Sequence, residues 1–119
     1  MTSMSEYERA RVYFEMRDPA RAARLLEPLA EREPRNVSVR LLLARAYYHS
    51  AQLRRAEDGF RAVTDLDPVE DYARFALGRT LERQSRHAEA VAHFRLAAAM
   101  RPVPEYLDAV ARAEAALTP

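Results

Sequence analysis

Residues Val37–Pro68 read VSVRLLLARAYYHSAQLRRAEDGFRAVTDLDP, and this stretch decides the fold. It holds two apolar-periodic segments, Val37 to Ser50 and Leu53 to Leu66, around a short polar turn, and a proline closes it. Leu43, Ala44 and Tyr47 fall at i, i+1 and i+4 in the first segment. Ala56, Phe60, Val63 and Thr64 fall at i, i+4, i+7 and i+8 in the second. Each pattern lays one apolar stripe along an α-helix. The same unit recurs on both sides at a step of 34 residues. Pro34, Pro68 and Pro102 coincide, as do Ala22, Ala56 and Ala90, then Leu26, Phe60 and Phe94, then Tyr13, Tyr47 and Leu81, then Leu29, Val63 and Ala97. Five columns agreeing in chemistry at one period define an internal repeat.

In these residues the chain resembles a tetratricopeptide repeat protein. That family's unit carries a large apolar residue, a small one, Tyr, Ala, Phe, Ala and Pro in order. The third copy supplies Leu77, Gly78, Leu81, Ala90, Phe94, Ala97 and Pro102. The resemblance covers about nine tenths of the chain. It departs where the family often has a Trp early in the first helix: Glu6, Arg40 and Arg74 stand there instead. The expected fold is all-α, a right-handed α-solenoid of three helix–turn–helix repeats with a seventh capping helix. The expected units are 3–34, 37–68 and 71–102, followed by the cap at 105–117, all in one domain.

Length and composition agree with a single domain. A net charge of +1 gives no general electrostatic case for nucleic acid or an anionic membrane. No apolar run approaches membrane-span length, and MTSMSEYERARVY lacks the apolar core of a signal peptide, so the expected address is the cytoplasm. All 19 basic residues are Arg, and Ile and Trp are absent as well. We read this as the mark of a GC-rich genome, which weakens any argument from the mere presence of arginine.

Local signals place the helix ends. Ser3 and Ser5 each precede a Glu by three residues, the capping-box pattern. Asp18-Pro19 reads as an N-cap followed by a first-position proline. Asn36 caps the third helix. Pro28 lies inside the second helix and is expected to kink it or remove a hydrogen bond. Gly59 is read as a tolerated helix glycine rather than a point of close approach. Gly78 shares a column with Ala10 and Ala44, where the two helices of a unit press together, and is read as a packing need. The fifth helix should cover Asp71 to Gln84, and the cap Glu105 to Leu117 with Tyr106, Val110, Ala113 and Leu117 inward.

Catalysis finds little support. His49, His87 and His93 are dispersed with no HExxH-type pair, cysteine is absent, and the two glycines form no phosphate loop. The acid pairs Glu57-Asp58 and Glu70-Asp71 read as helix-start charges favoured by the dipole. The chain is expected to be no enzyme and to need no cofactor or metal.

One column is uniform without being apolar: Arg11, Arg45 and Arg79. It precedes the Tyr13/Tyr47/Leu81 column by two residues, which is about 200° around a helix, and so points away from that column. The resemblance implies that this position lines the concave groove, together with Tyr7, Leu41 and Phe75, with Phe14, Tyr48 and Glu82, and with His49, Tyr72 and Arg83. Arginine forks suit carboxylates, and aromatic rings supply apolar area at low entropic cost. The expected function is therefore an adaptor or scaffold binding an acidic and apolar peptide segment of another protein, including a C-terminal one. These arginines could instead bridge helices by pairing with Glu8, Glu15 or Glu82. The carboxylate clamp by which members of the family hold heat-shock-protein tails is not reproduced. Its positions carry Tyr7, Arg11, Leu42, Tyr72 and Ala76, of which Arg11 alone is charged. Two other readings remain: single-stranded RNA stacked on the same face, which the balanced charge and abundant Glu disfavour, and self-association into a homo-oligomer. No membrane partner is expected.

Overall fold

The structure, a computed structural model, describes residues 4–119. Ser3, and with it the first of the two capping-box readings, lies outside the described residues. Seven helices run through the described chain: α1 (Glu6–Glu15), α2 (Pro19–Arg32), α3 (Val37–His49), α4 (Leu53–Leu66), α5 (Asp71–Arg83), α6 (His87–Met100) and α7 (Pro104–Ala115). Each packs on the next in chain order, and α1 also touches α3. The result is an all-α helical-repeat stack measuring 58 × 25 × 23 Å.

The starts of the helices follow the sequence. Ser5 accepts from the Glu8 amide at 3.1 Å, and the Glu8 carboxylate takes the Ser5 amide in return. Asp18 and Asn36 accept from the Arg21 and Val39 amides. Helix α2 continues through Pro28, which is exposed; the Arg24 carbonyl that loses its donor lies on the same wet side. Helix α5 stops one residue short of Gln84, which is its C-cap. Helix α7 starts at Pro104 and ends at Ala115, so Leu117 lies beyond it and stays exposed. Tyr106, Ala109 and Ala113 form its buried stripe instead.

The turn inside each helix pair is the same device three times. Arg17, Ala51 and Ser85 sit in the left-handed region at φ 63°, 60° and 60°, each 34 residues from the next. The Arg17, Ala51 and Ser85 amides donate to the Phe14, Tyr48 and Glu82 carbonyls. One residue on, the Asp18, Gln52 and Arg86 amides reach back to the Tyr13, Tyr47 and Leu81 carbonyls. This is the Schellman closure, built without glycine, at a left-handed cost of about 1–2 kcal/mol per residue. The turn between pairs is closed by Pro34, Pro68 and Pro102, each one residue past a helix C-cap.

The repeated apolar columns are the core. Ala22, Ala56 and Ala90 are sealed from solvent, as are Leu26, Phe60 and Phe94. Ala10, Ala44 and Gly78 are buried too. A Cβ on Gly78 would fall 2.5 Å from the Phe94 ring, so the close contact within the α5–α6 pair requires glycine. Gly59 overturns the sequence reading: a Cβ there would meet the Ala44 Cβ at 2.8 Å. The glycine is a contact point for α3, and sequence alone hid this because the other columns at its position, Leu25 and His93, are large.

Two acids are structural ties: Glu57, which lies past the first turn of α4, and Asp71, which keeps its place in the first turn of α5. Glu57 is buried; it pairs with Arg61 at 2.9 Å on one oxygen and Arg86 at 2.7 Å on the other, and Gln84 donates to it at 3.2 Å. It thereby fastens α4 to the α5–α6 turn. Asp71 accepts from the Tyr106 hydroxyl at 2.7 Å and pairs with Arg101 at 3.2 Å, anchoring α7 across α5. Burial and then Asp71 push the Tyr106 hydroxyl up to about 12.

Gly59→Ala should lower stability by about 1–2 kcal/mol in urea unfolding, overpacking outweighing its helix-propensity gain. Adding Ala44→Gly should recover most of that loss, and simple additivity of the two losses would count against the contact. For Glu57, burial alone would raise the carboxyl pKa, but the hydrogen bonds from Arg61, Arg86 and Gln84 outweigh it and hold it lowered. The stabilisation it gives is therefore complete above the ordinary carboxylate range and is lost as pH falls through the lowered value. Glu57→Gln should cost about 1–2 kcal/mol at pH 7, and the gap from wild type should narrow at acid pH. A gap that does not change with pH would contradict the assignment.

Candidate functional site

Helices α1, α3 and α5 lie at equivalent places in the stack, so a residue type repeated every 34 positions on them recurs along one face. The guanidinium of Arg45 lies over the Phe14 ring at 4.8 Å and over Tyr72 at 5.7 Å. That of Arg79 lies over Tyr48 at 5.3 Å and Phe75 at 5.7 Å. Arg83 covers Tyr48 at 4.7 Å, and its Nη1 donates to the Tyr48 carbonyl at 3.1 Å. His49 meets Phe14 and Tyr48 edge-on at 5.4 and 5.3 Å. Cations and rings therefore alternate along the face, each stack contributing about 0.5–1 kcal/mol where it is exposed.

The remaining sequence candidates fall differently. Arg11 is exposed and pairs within its own helix to Glu15 at 3.4 Å. With Tyr7, Phe14, Leu42 and Arg45 these two residues border a hollow of about 140 Å³. Phe75 corrects the sequence expectation. It is only 4% exposed and stacks on Tyr106 at 4.7 Å, so it belongs to the core beneath Arg79 and offers no free surface. An apolar residue on the line between two faces reads equally well for either in sequence.

The charges on this face are unbalanced. Among the described residues, neither Arg45 nor Arg79 has a carboxylate partner. Glu8 serves its own capping box, and Glu82 is held by Arg112 through two bonds of 3.1 Å. The Nε of Arg45 is buried with no hydrogen-bond acceptor. His49 is held below its ordinary pKa, first by partial desolvation and then by the charges of Arg45, Arg79 and Arg83. Its imidazole is therefore neutral at pH 7 and leaves the arginines as the cations of this face.

Sequence reading missed two features of the site. Arg112 follows Arg79 by 33 residues, one short of the period, and so escaped the column although it removes Glu82 from the face. A hollow of about 430 Å³ bordered by Phe14, Arg17, Pro19 and His49 opens beside the ladder. It depends on the left-handed turn at Arg17, which no composition signal announced.

Among the described residues no cluster of three or more His or acidic side chains could hold a metal ion. No described helix is long and apolar enough to cross a membrane. His93 is half-buried, and desolvation followed by Arg61 and Arg74 lowers its pKa. It lies in α6, apart from the ladder.

A family profile described as tetratricopeptide repeat matches residues 13–75, and a second of the same description matches residues 50–103. No curated protein matches the chain in sequence. Solved structures do match it. MamA superposes with a TM-score of 0.89 at 15% identity, over 92% of this chain and 65% of the MamA chain. The first tetratricopeptide domain of Spaghetti (RPAP3), bound to the HSP90 peptide SRMEEVD, gives 0.89 at 18% identity, over 94% and 90%. A MamA fragment from Desulfovibrio magneticus RS-1 gives 0.78 at 25% identity, over 82% and 55%. This chain thus spans less than two thirds of either MamA chain.

If the ladder is not a fold requirement, Arg45→Ala and Arg79→Ala should each keep the wild-type helical circular dichroism. Each should lose no more than about 2 kcal/mol in urea, the worth of its two stacks. Loss of the helical signal in either variant would make that arginine structural.

Proposed function

Because this chain belongs to the tetratricopeptide repeat family, we propose that it is a non-catalytic adaptor or scaffold. In this reading the face made by α1, α3 and α5 binds an acidic and apolar peptide segment of another protein. One observation carries the reading: Arg45 is stacked between two rings, its Nε is buried without an acceptor, and no acid of the described chain neutralises it. A buried donor left unpaired costs about 1–3 kcal/mol, and an arriving acceptor removes that cost. Arg79 and Arg83 extend the same unbalanced charge along the groove, both over the ring of Tyr48. Acidic residues for the forks and apolar ones for the rings are the complementary ligand.

The Spaghetti domain, bound to a peptide that contains two Glu and a terminal Asp, supports the ligand class. The clamp positions of the present chain differ, as Tyr7, Leu42, Tyr72 and Ala76 carry no charge. The reading therefore concerns an acidic segment held by arginines placed elsewhere on the face, and not a heat-shock-protein tail.

The test is selection of random dodecapeptides on immobilised protein, followed by fluorescence polarisation of synthetic copies. Selected peptides should be enriched in Asp or Glu beside apolar residues and should weaken as salt rises. The Arg45→Ala/Arg79→Ala double variant should lose at least about tenfold in affinity, equivalent to about 1.4 kcal/mol. Peptides without acidic enrichment, or with equal affinity for the double variant, would overturn the reading.

A further inference from the structure

The ladder borders a small slot among α3, α4 and α5. It has about 20 Å³ of free space, and its walls combine Arg45, Arg79 and His49 with Tyr48, Phe60, Tyr72 and Ala76. That volume holds one water-sized group. One oxygen of a carboxylate fits, with the second at the mouth.

The donors are of the right kind. A guanidinium carries its N–H bonds in its plane, so stacking on a ring occupies a face and leaves the hydrogen-bonding edge unspent. Both slot arginines are stacked this way, Arg45 on Phe14 and Tyr72 and Arg79 on Tyr48 and Phe75. They are thereby held with little rotamer freedom left to lose. The neutral state of His49 places no competing proton-bearing cation at the mouth. His49 also borders the hollow of about 430 Å³, whose other walls are Phe14, Arg17 and Pro19.

We infer that the slot takes a single carboxylate, from an Asp or Glu side chain or from a peptide C-terminus, and that the hollow bordered by His49 takes the neighbouring apolar side chain of the same ligand. The inference rests on the peptide-binding reading and narrows it to one acid and one apolar residue in adjacent subsites. Tyr72 and Ala76, at two of the family's clamp positions, serve here as walls. The charge comes from Arg45 and Arg79, which lie three residues past the clamp positions Leu42 and Ala76.

The experiment follows the Arg Nε–Hε resonances of the ¹⁵N-labelled full chain. The probes are sodium acetate, inorganic phosphate and three capped dipeptides: N-acetyl-Leu-Asp amide, N-acetyl-Leu-Asn amide and N-acetyl-Leu-Leu free acid. Arg45 and Arg79 should shift with acetate and with at least one of the two carboxylate dipeptides. The responding dipeptide should bind at least about tenfold tighter than acetate, and the Asn analogue should leave both resonances in place. Response to the Asp amide alone identifies a side-chain carboxylate as the ligand group; response to the free acid alone identifies a C-terminus. Arg45→Lys, which keeps charge but loses the fork, should abolish the preference for the dipeptides. Unmoved Arg45 and Arg79 resonances while selected dodecapeptides shift other residues of α1, α3 and α5 would overturn the slot and leave the peptide reading standing. Shifts at both arginines with acetate, but no dodecapeptide binding to this face, would overturn the peptide reading alone. A stronger response to phosphate than to acetate would overturn the carboxylate assignment.

Discussion

The close approach of the two helices in each pair is the contact on which the remaining structure depends. Helix α3 reaches α4 because Ala44 meets Gly59, and α5 reaches α6 because Gly78 lies under the Phe94 ring. At these points a single methyl group is the difference between contact and clash. The two pairs solve the same problem with different partners: in one the glycine is on the second helix, in the other on the first. What the repeat conserves is the spacing between helices, and the residue that gives way to it varies from copy to copy.

That spacing is held by turns and ties of quite different origin. The turn inside each pair is a backbone motif, repeated at Arg17, Ala51 and Ser85 with left-handed φ. Because the carbonyls it satisfies belong to Tyr13, Tyr47 and Leu81, the residues that pack the pair also receive its closing hydrogen bonds. The ties between pairs are side-chain networks and do not repeat. Glu57 with Arg61, Arg86 and Gln84 joins α4 to the third pair, and Asp71 with Tyr106 and Arg101 joins α5 to α7.

The candidate site is a consequence of this architecture. Stacking α1, α3 and α5 side by side brings residues 34 apart into neighbouring positions, so aromatic and arginine side chains from different helices interleave. The sequence period predicted which residues share a face. It offered Glu15 as one possible partner of Arg11, and that pair forms, but it did not reveal that Arg112 would claim Glu82 or that Phe75 would turn into the core. Both of these unforeseen outcomes depend on a neighbour from another helix, at a distance no spacing rule encodes.

By itself the sequence determined the helices, their pairing and the buried columns, because a 34-residue period combined with helical periodicity leaves one way to bury every apolar stripe at once. It also determined the side-chain N-caps of α1, α2 and α3, since Ser5, Asp18 and Asn36 act on donors within three residues of themselves. Only the tertiary structure decided that Gly59 is a contact point, that Glu57 is a buried tie, and that Arg45 and Arg79 keep their edges free around a small slot. The reason is physical. Local hydrogen bonds and apolar periodicity act over a few residues, whereas pairing and desolvation of a charge are set by whichever residues the packed helices bring beside it.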